Sequence, residues 1–324
     1  TRVRSSNAGR RWPSLEKAMI VNMEKTTTSK IEKKLQELRE DGGVVALGRV
    51  LTLIIETNSD HLEEAIEAAN GASRLHPSRI IVLVSNLEQG DKSPRLDAEI
   101  RIGGDAGASE VVVIRAFGDA NSNTESMVTG LLLPDAPVVA WWPSDCKANP
   151  SKNPIGQIAT RRITDAAAQR DASGFLRQLA KNYAPGDSDM SWTRITLWRS
   201  QLAALFDNEK NRRVVEIRVL GSIISPSVRL LAGWLSMQLG VDAKIIHELS
   251  GIAIEGIAGV EISFDQGELA IIRSGDVASI GQTGSPDSSV LLPKRSDQDC
   301  LMEDMRFLGE DEVYGAVLKN ELSK

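Results

Sequence analysis

Apolar and polar positions recur along this chain with two periods, and the switches between them mark its elements. Ser29-x-x-Glu32 has the form of a capping box, and Ile31, Leu35 and Leu38 follow it at helical spacing. Gly42-Gly43 supplies the stop. Arg49–Thr57 holds the longest apolar run, near Val50–Ile55 and interrupted by Thr52, which predicts a buried strand. Asp60-x-x-Glu63 opens a second helical stretch with Leu62, Ile66 and Ala69 on one face, and His76–Ser85 returns as a strand. Strand, helix, strand predicts a parallel pair with a right-handed crossover.

Two further strand-like runs, Ala98–Gly103 and Ser109–Phe117, are close enough to form a hairpin. Ser126–Leu133 reads as helix and Pro137–Pro143 as a short strand. Residues 144–154 are rich in Pro, Asn, Lys and Ser, which predicts an exposed loop. Arg161–Ala167 then leads to a helix near Ala172–Tyr183. Ala184–Asp189 (APGDSD) is the favoured boundary between two domains, with 207–212 as the second choice. Beyond it come one long helix, Met190–Asp207, and a second strand–helix–strand unit over Val214–Leu249. Short strands follow at Gly259–Phe264, Glu268–Arg273 and Val277–Ile280, then helices over Ser296–Leu308 and Glu312–Leu322.

The fold class expected is therefore α/β, with two domains, each a mixed β-sheet flanked by helices. Their bounds are 23–183 and 184–324, after a basic, aperiodic leader at 1–22. That leader lacks the apolar core of a secretory signal. A length of 324 residues fits two domains, and 41% hydrophobic residues besides 26 glycines allow large cores. A net charge of -6 argues against a general nucleic-acid or anionic-membrane binder. No apolar run approaches the roughly 18 residues of a membrane span. Cys146 and Cys300 form no CxxC or Cys/His cluster, which excludes a disulfide scaffold and suits a reducing cytoplasm. His61, His76 and His247 are equally scattered, so no metal site and no cofactor is expected.

Catalytic patterns such as GxSxG or paired carboxylates are missing, so the chain reads as a non-enzyme. Candidate contact residues are the aromatic and arginine positions. Trp141-Trp142 stand adjacent in a strand, where one could enter the core and the other face outward to anchor a partner. Arg161 and Arg162, near Asp165, could grip a carboxylate or phosphate, or pair internally. Arg194 and Trp198 lie four apart on one helix face with Arg199 alongside, while Trp192 fits the buried stripe. Gly103, Gly104 and Gly107 form a tight turn or an anion cradle of backbone N–H groups, and Asp105 would repel an anion. Asp187 and Asp189 read as helix-capping residues before a cation site.

Several segments together resemble the glucose-6-phosphate dehydrogenase assembly protein (OpcA) family. They are GRVLTLII (48–55), RLHPSRIIVLV (74–84), RIGGDAGASEVVV (101–113), LLLPDAPVVAWWP (131–143), RRITDA (161–166), YAPGDSDMSWTRITLWR (183–199), LLAGWL (230–235) and RSDQDCLMEDMR (295–306). The resemblance implies a cytoplasmic protein that assembles or activates glucose-6-phosphate dehydrogenase, the NADP-linked entry to the oxidative pentose phosphate pathway. It implies no chemistry of the chain's own and transfers no functional residue. A sensor of NADPH or sugar phosphate is the rival reading.

Overall fold

The computed structural model describes residues 19–41, 49–85, 94–102, 110–122, 124–207, 212–249 and 251–321. The first sheet has eight strands: β1 (Met19–Met23), β2 (Leu51–Asn58), β3 (Ser78–Ser85), β4 (Arg95–Ile102), β5 (Glu110–Phe117), β6 (Val138–Trp142), β7 (Arg161–Thr164) and β8 (Asp187–Asp189). Their order is β1-β4-β5-β3-β2-β6-β7-β8. From β5 to β8 every neighbouring pair is parallel, and β4 and β1 are added antiparallel at one edge. Numbered by appearance in the chain, the parallel strands run 3-2-1-4-5-6, the order of doubly wound dinucleotide-binding sheets.

Both faces of this sheet are covered, as a parallel sheet requires. Helices α1 (Thr28–Asp41), α3 (Thr124–Thr129) and α4 (Pro154–Ile158) lie on one side. There Ile31 and Leu35 pack with Ile54, Ile81, Val112 and Trp142. Helix α2 (Leu62–Ser73) lies on the other, where Ile66 and Ala69 meet Leu53, Ile55, Val82 and Trp141. Successive residues of β2 and β6 thus point into different cores.

The chain continues through α5 (Ala172–Asn182), α6 (Met190–Thr193) and α7 (Thr196–Phe206) to the second sheet. Here β9 (Val214–Gly221), α8 (Pro226–Leu239) and β10 (Ala243–Ile246) form a parallel strand–helix–strand unit. A small hairpin, β11 (Glu248–Leu249) and β12 (Ile252–Ala253), precedes the antiparallel strands β13 (Ile257–Phe264), β14 (Glu268–Ser274), β15 (Val277–Gln282) and β16 (Ser288–Leu291). The six-stranded order is β10-β9-β13-β14-β15-β16. Val219, Val260, Ile262, Ile271 and Ile280 face a core shared with α8 residues such as Leu231 and Leu235. The last helices divide between the two cores. In α9 (Asp297–Arg306), Leu301 and Met305 join the α2 side of the first sheet, while Val317 and Leu318 of α10 (Glu312–Glu321) join the second core.

The α/β expectation holds, and several local expectations change. The end of the basic leader is ordered: residues 19–22 belong to β1, because the apolar run Met19–Met23 pairs along the open edge of β4. Strand β8 completes the first sheet, so a division at 184 leaves the sheet's last strand in the second segment. Lys30 N–H donates to the Thr27 hydroxyl, so Thr27 rather than Ser29 caps α1. Asn58, not Asp60, accepts the backbone N–H groups of 60 and 61 before α2. The helix expected over Met190–Asp207 is two pieces, interrupted at Arg194-Ile195. The loop 144–154 is partly interior, with Ser144 and Pro150 buried.

Candidate functional site

In a sheet of this order, ligands lie outside the carboxyl ends of the strands where the order reverses, between β2 and β6. At that position the chain's own side chains bond to one another. Trp142, the last residue of β6, donates its indole N–H to Glu56 Oε2 at 2.7 Å, and the Asn153 side-chain amide donates to the same oxygen at 3.3 Å. The hydroxyls of Thr57 and Ser144 lie 3.4 Å apart beside them. The space left between Glu56 and the ends of β3 and β5 is only about 10 Å³. A water needs roughly 10–15 Å³ of such space, so it admits about one water and no larger ligand. The turn after β2, Asn58-Ser59-Asp60-His61, contains no glycine, and α2 opens with Glu63 and Glu64. A pyrophosphate needs close backbone approach and a positive helix N-terminus; the glycine-free turn and the Glu64 carboxylate in the first turn work against it.

The expected contact residues take up different positions. Trp141 and Trp142 are each 1% exposed, because β6 is an inner strand with both faces covered. Trp198 is also buried, under the Arg273 guanidinium, whose carbon lies 5.5 Å from the ring centroid. Arg161 is 5% exposed; it donates to Asp304 at 2.6 Å and to the Gly309 carbonyl at 2.9 Å. Arg162 donates to Asp187 at 2.5 Å and to the carbonyls of Ala159 and Pro185. Arg194 grips Asp165 with two bonds, at 2.8 and 2.6 Å, and reaches Asp297 at 2.7 Å. It does not stack on Trp198. The expectation that Trp141 or Trp142, Arg161, Arg162 and Trp198 form an accessible surface is therefore corrected: these side chains are interior, and the arginines pair within the fold.

Asp187 and Asp189 hold the structure together rather than a cation. Asp189 accepts from Thr164, Ala166 and Ser191, and burial, aided by the Asp165 charge, pushes its carboxyl up to about 7. Among the described residues no cluster of His, Cys, Asp and Glu could hold a metal ion. Cys146 and Cys300 are free thiols; burial pushes both upward, Cys300 to about 12, away from the reactive thiolate. Gly103, Gly104 and Gly107 lie outside the described residues.

Arg199 is the exception among the arginines. It lines a cleft of about 550 Å³ between Trp192, α9 and the linker from Phe307 to Asp311. Its guanidinium carbon lies 3.7 Å from the Trp192 ring centroid. The Trp192 indole N–H donates to Asp311 Oδ2 at 2.7 Å, and Asp311 Oδ1 accepts the Tyr314 N–H at 2.9 Å, which caps α10. Arg199 itself makes one hydrogen bond, Nη2 to the Thr196 hydroxyl at 3.1 Å. Its Nε is buried without an acceptor, as is the Nε of Arg161. Burial pushes the Arg199 guanidinium below its ordinary pKa, while Asp311 and Glu303 pull it back. At the rim, Phe307 is 64% exposed, with the Arg306 guanidinium 5.3 Å over its ring. Sequence reasoning passed over Phe307. Its signal was the break Phe307-Leu308-Gly309 at the end of an amphipathic helix.

Residues 69–181 match the family described as glucose-6-phosphate dehydrogenase subunit N-terminal domain, and residues 185–318 match the corresponding C-terminal domain. The chain belongs to the OpcA family of glucose-6-phosphate dehydrogenase subunits. A Synechocystis protein that carries the name OxPP cycle protein OpcA is 27% identical over 113 residues, 33% of this chain and 23% of the relative. The match thus spans about a quarter of that relative's length. Among solved structures, UDP-N-acetylglucosamine 3-dehydrogenase from Acidithiobacillus ferrooxidans is similar at a TM-score of 0.42 and 9% identity, over 84% of this chain and 96% of that one. A Synechocystis biliverdin reductase is similar at 0.41 and 11%, over 84% and 96%. At such scores the likeness carries no functional argument.

Segments that mark the OpcA resemblance converge on a structural cluster. Arg49, Arg79 and Glu110 come from three of them, and the fully buried Glu110 carboxylate meets Arg39 at 2.8 Å, Arg49 at 2.9 Å and Arg79 at 3.1 Å. The cluster pins α1 to the starts of β3 and β5. Its charges are spent inside the fold.

Proposed function

We propose that this chain is a non-catalytic partner of glucose-6-phosphate dehydrogenase that favours the enzyme's assembled, active form by protein contact. It would act in the cytoplasm, in the oxidative pentose phosphate pathway, with no cofactor of its own and no nucleic-acid or membrane partner. Membership of the OpcA family supports the choice of partner. The observation that supports the non-catalytic part is the Trp142–Glu56 contact, which ties together the carboxyl ends of the two strands between which a sheet of this order holds a dinucleotide. Such a partner shifts the enzyme's equilibrium only by its differential affinity for the two states.

The test is a titration into the dehydrogenase of the same organism, following NADP reduction together with light scattering after size exclusion. A co-eluting complex with a changed rate or oligomer is expected. Two folded proteins that neither co-elute nor alter the rate would overturn it.

A further inference from the structure

The cleft beside Trp192 has hydrogen-bond donors left over and few acceptors to meet them. Charge alone speaks against an anion there, since five carboxylates and three guanidiniums line the cleft. Four of those carboxylates are already engaged. Glu303 accepts from Thr196 and Arg295, and Asp304 accepts from Arg161, Ser188 and Thr193. Asp311 accepts from Trp192 and Tyr314, and Glu310 from the Tyr183 hydroxyl. Only Glu312, exposed at the start of α10, stands apart.

The donors are in the opposite condition. Arg199 meets one hydroxyl, through Nη2, and no carboxylate, which leaves Nη1 to donate to a ligand; the Nε atoms of Arg199 and Arg161 are sealed from solvent. Arg306 makes no ion pair among the described residues and rests on Phe307. A guanidinium held 3.7 Å over an indole is already positioned, so binding costs it little side-chain freedom. Phe307, exposed at the rim, offers an aromatic face beside this charge. A cleft of about 550 Å³ falls within the roughly 300–1,000 Å³ of binding pockets. The complementary ligand brings an acceptor with negative charge and, next to it, an apolar group.

We propose that this cleft receives a segment of the dehydrogenase in which a carboxylate side chain stands beside an apolar one, the carboxylate on Arg199 and the apolar group on Phe307. This rests on the partner reading above and names its contact. Phosphate and sugar phosphates supply the charge without the apolar neighbour.

The experiment uses the full chain and the dehydrogenase of the same organism, with affinity measured by calorimetry. Phe307→Ala and Arg199→Gln are each expected to weaken binding about 10-fold or more. Phe307→Ala should leave the melting temperature unchanged, because the ring is exposed, so its effect stands even if Arg199→Gln disturbs the Trp192 stack. Glu312→Lys adds positive charge at the rim and should tighten binding. Raising salt should weaken the native chain more than Arg199→Gln. If the native chain binds and both loss variants bind within about twofold of it, the cleft is not the contact and the partner reading survives. If the native chain does not bind at all, the partner reading falls and takes the cleft assignment with it. Self-association lost in Phe307→Ala would assign the cleft to a second copy of this chain and overturn the proposal.

Discussion

The two sheets of this protein bury their residues by different rules. In the first, β3 is buried along all but its last residue and β6 along its whole length. In the second, β14 and β15 alternate between core and solvent. A parallel sheet has helices on both faces, whereas an antiparallel one can leave a face open. The difference decides where contact chemistry can sit. Two adjacent tryptophans on β6 are both lost to the interior. On the first sheet, usable surface lies at the edges and in the connecting segments, and Phe307, in one such segment, shows it.

The largest effect is expected where α9 crosses back to the first sheet. Asp304 on α9 accepts from Arg161 on β7, and both are buried. Asp304→Ala leaves the Arg161 charge without its carboxylate, and removing one partner of a buried pair costs about 3–5 kcal/mol. Urea unfolding measures it. A loss below about 1 kcal/mol would mean that α9 is not held by this pair.

The next prediction sets neighbours on one strand against each other. Ile271 faces the core and Ile272 the open side of the second sheet. Ile271→Ala should cost about 2–5 kcal/mol. Ile272→Ala should cost about 1 kcal/mol or less. Equal losses would show that the second sheet is covered on both faces in solution, as by a second copy of the chain.

Much of this architecture is legible in the sequence where periodicity has room to show itself. The strand–helix–strand unit at 51–85, strand β9 and the hairpin of β4 and β5 follow from runs of about eight residues, whereas the expected strand Ala243–Leu249 is β10 over Ala243–Ile246 with Glu248–Leu249 in the separate small hairpin. Strands β7 and β8, of four and three residues, are too short for a period and carry charges that usually mark loops. Those charges are matched only by partners distant in sequence: Arg161 with Asp304, and Arg194 with Asp165. Spacing could not say that the arginines pair inward or that Trp142 would meet Glu56. Nor could it single out Arg199, whose interest lies in lacking the carboxylate that Arg161, Arg162 and Arg194 have.

The smallest effect belongs to an ion pair at the exposed edge of the first sheet, the counterpart of Arg161–Asp304. Arg101 on β4 meets Glu63 in the first turn of α2 at 2.7 Å, but the Glu63 side chain is 68% exposed. The hydrogen bond from Arg101 holds the Glu63 carboxyl below its usual pKa against a modest cost of burial. A lowered folded pKa means that the native chain binds fewer protons than the unfolded one around pH 4. The contribution is therefore present above the unfolded value, about 4.3, and is lost as pH falls through the folded one. Water and salt screen so open a pair, so Glu63→Gln should cost only about 0.2–1 kcal/mol at pH 7. The difference between the two chains should shrink in high salt and vanish near pH 2. A cost at pH 7 that persists in high salt would show that this edge, like the middle of the sheet, is shielded from solvent.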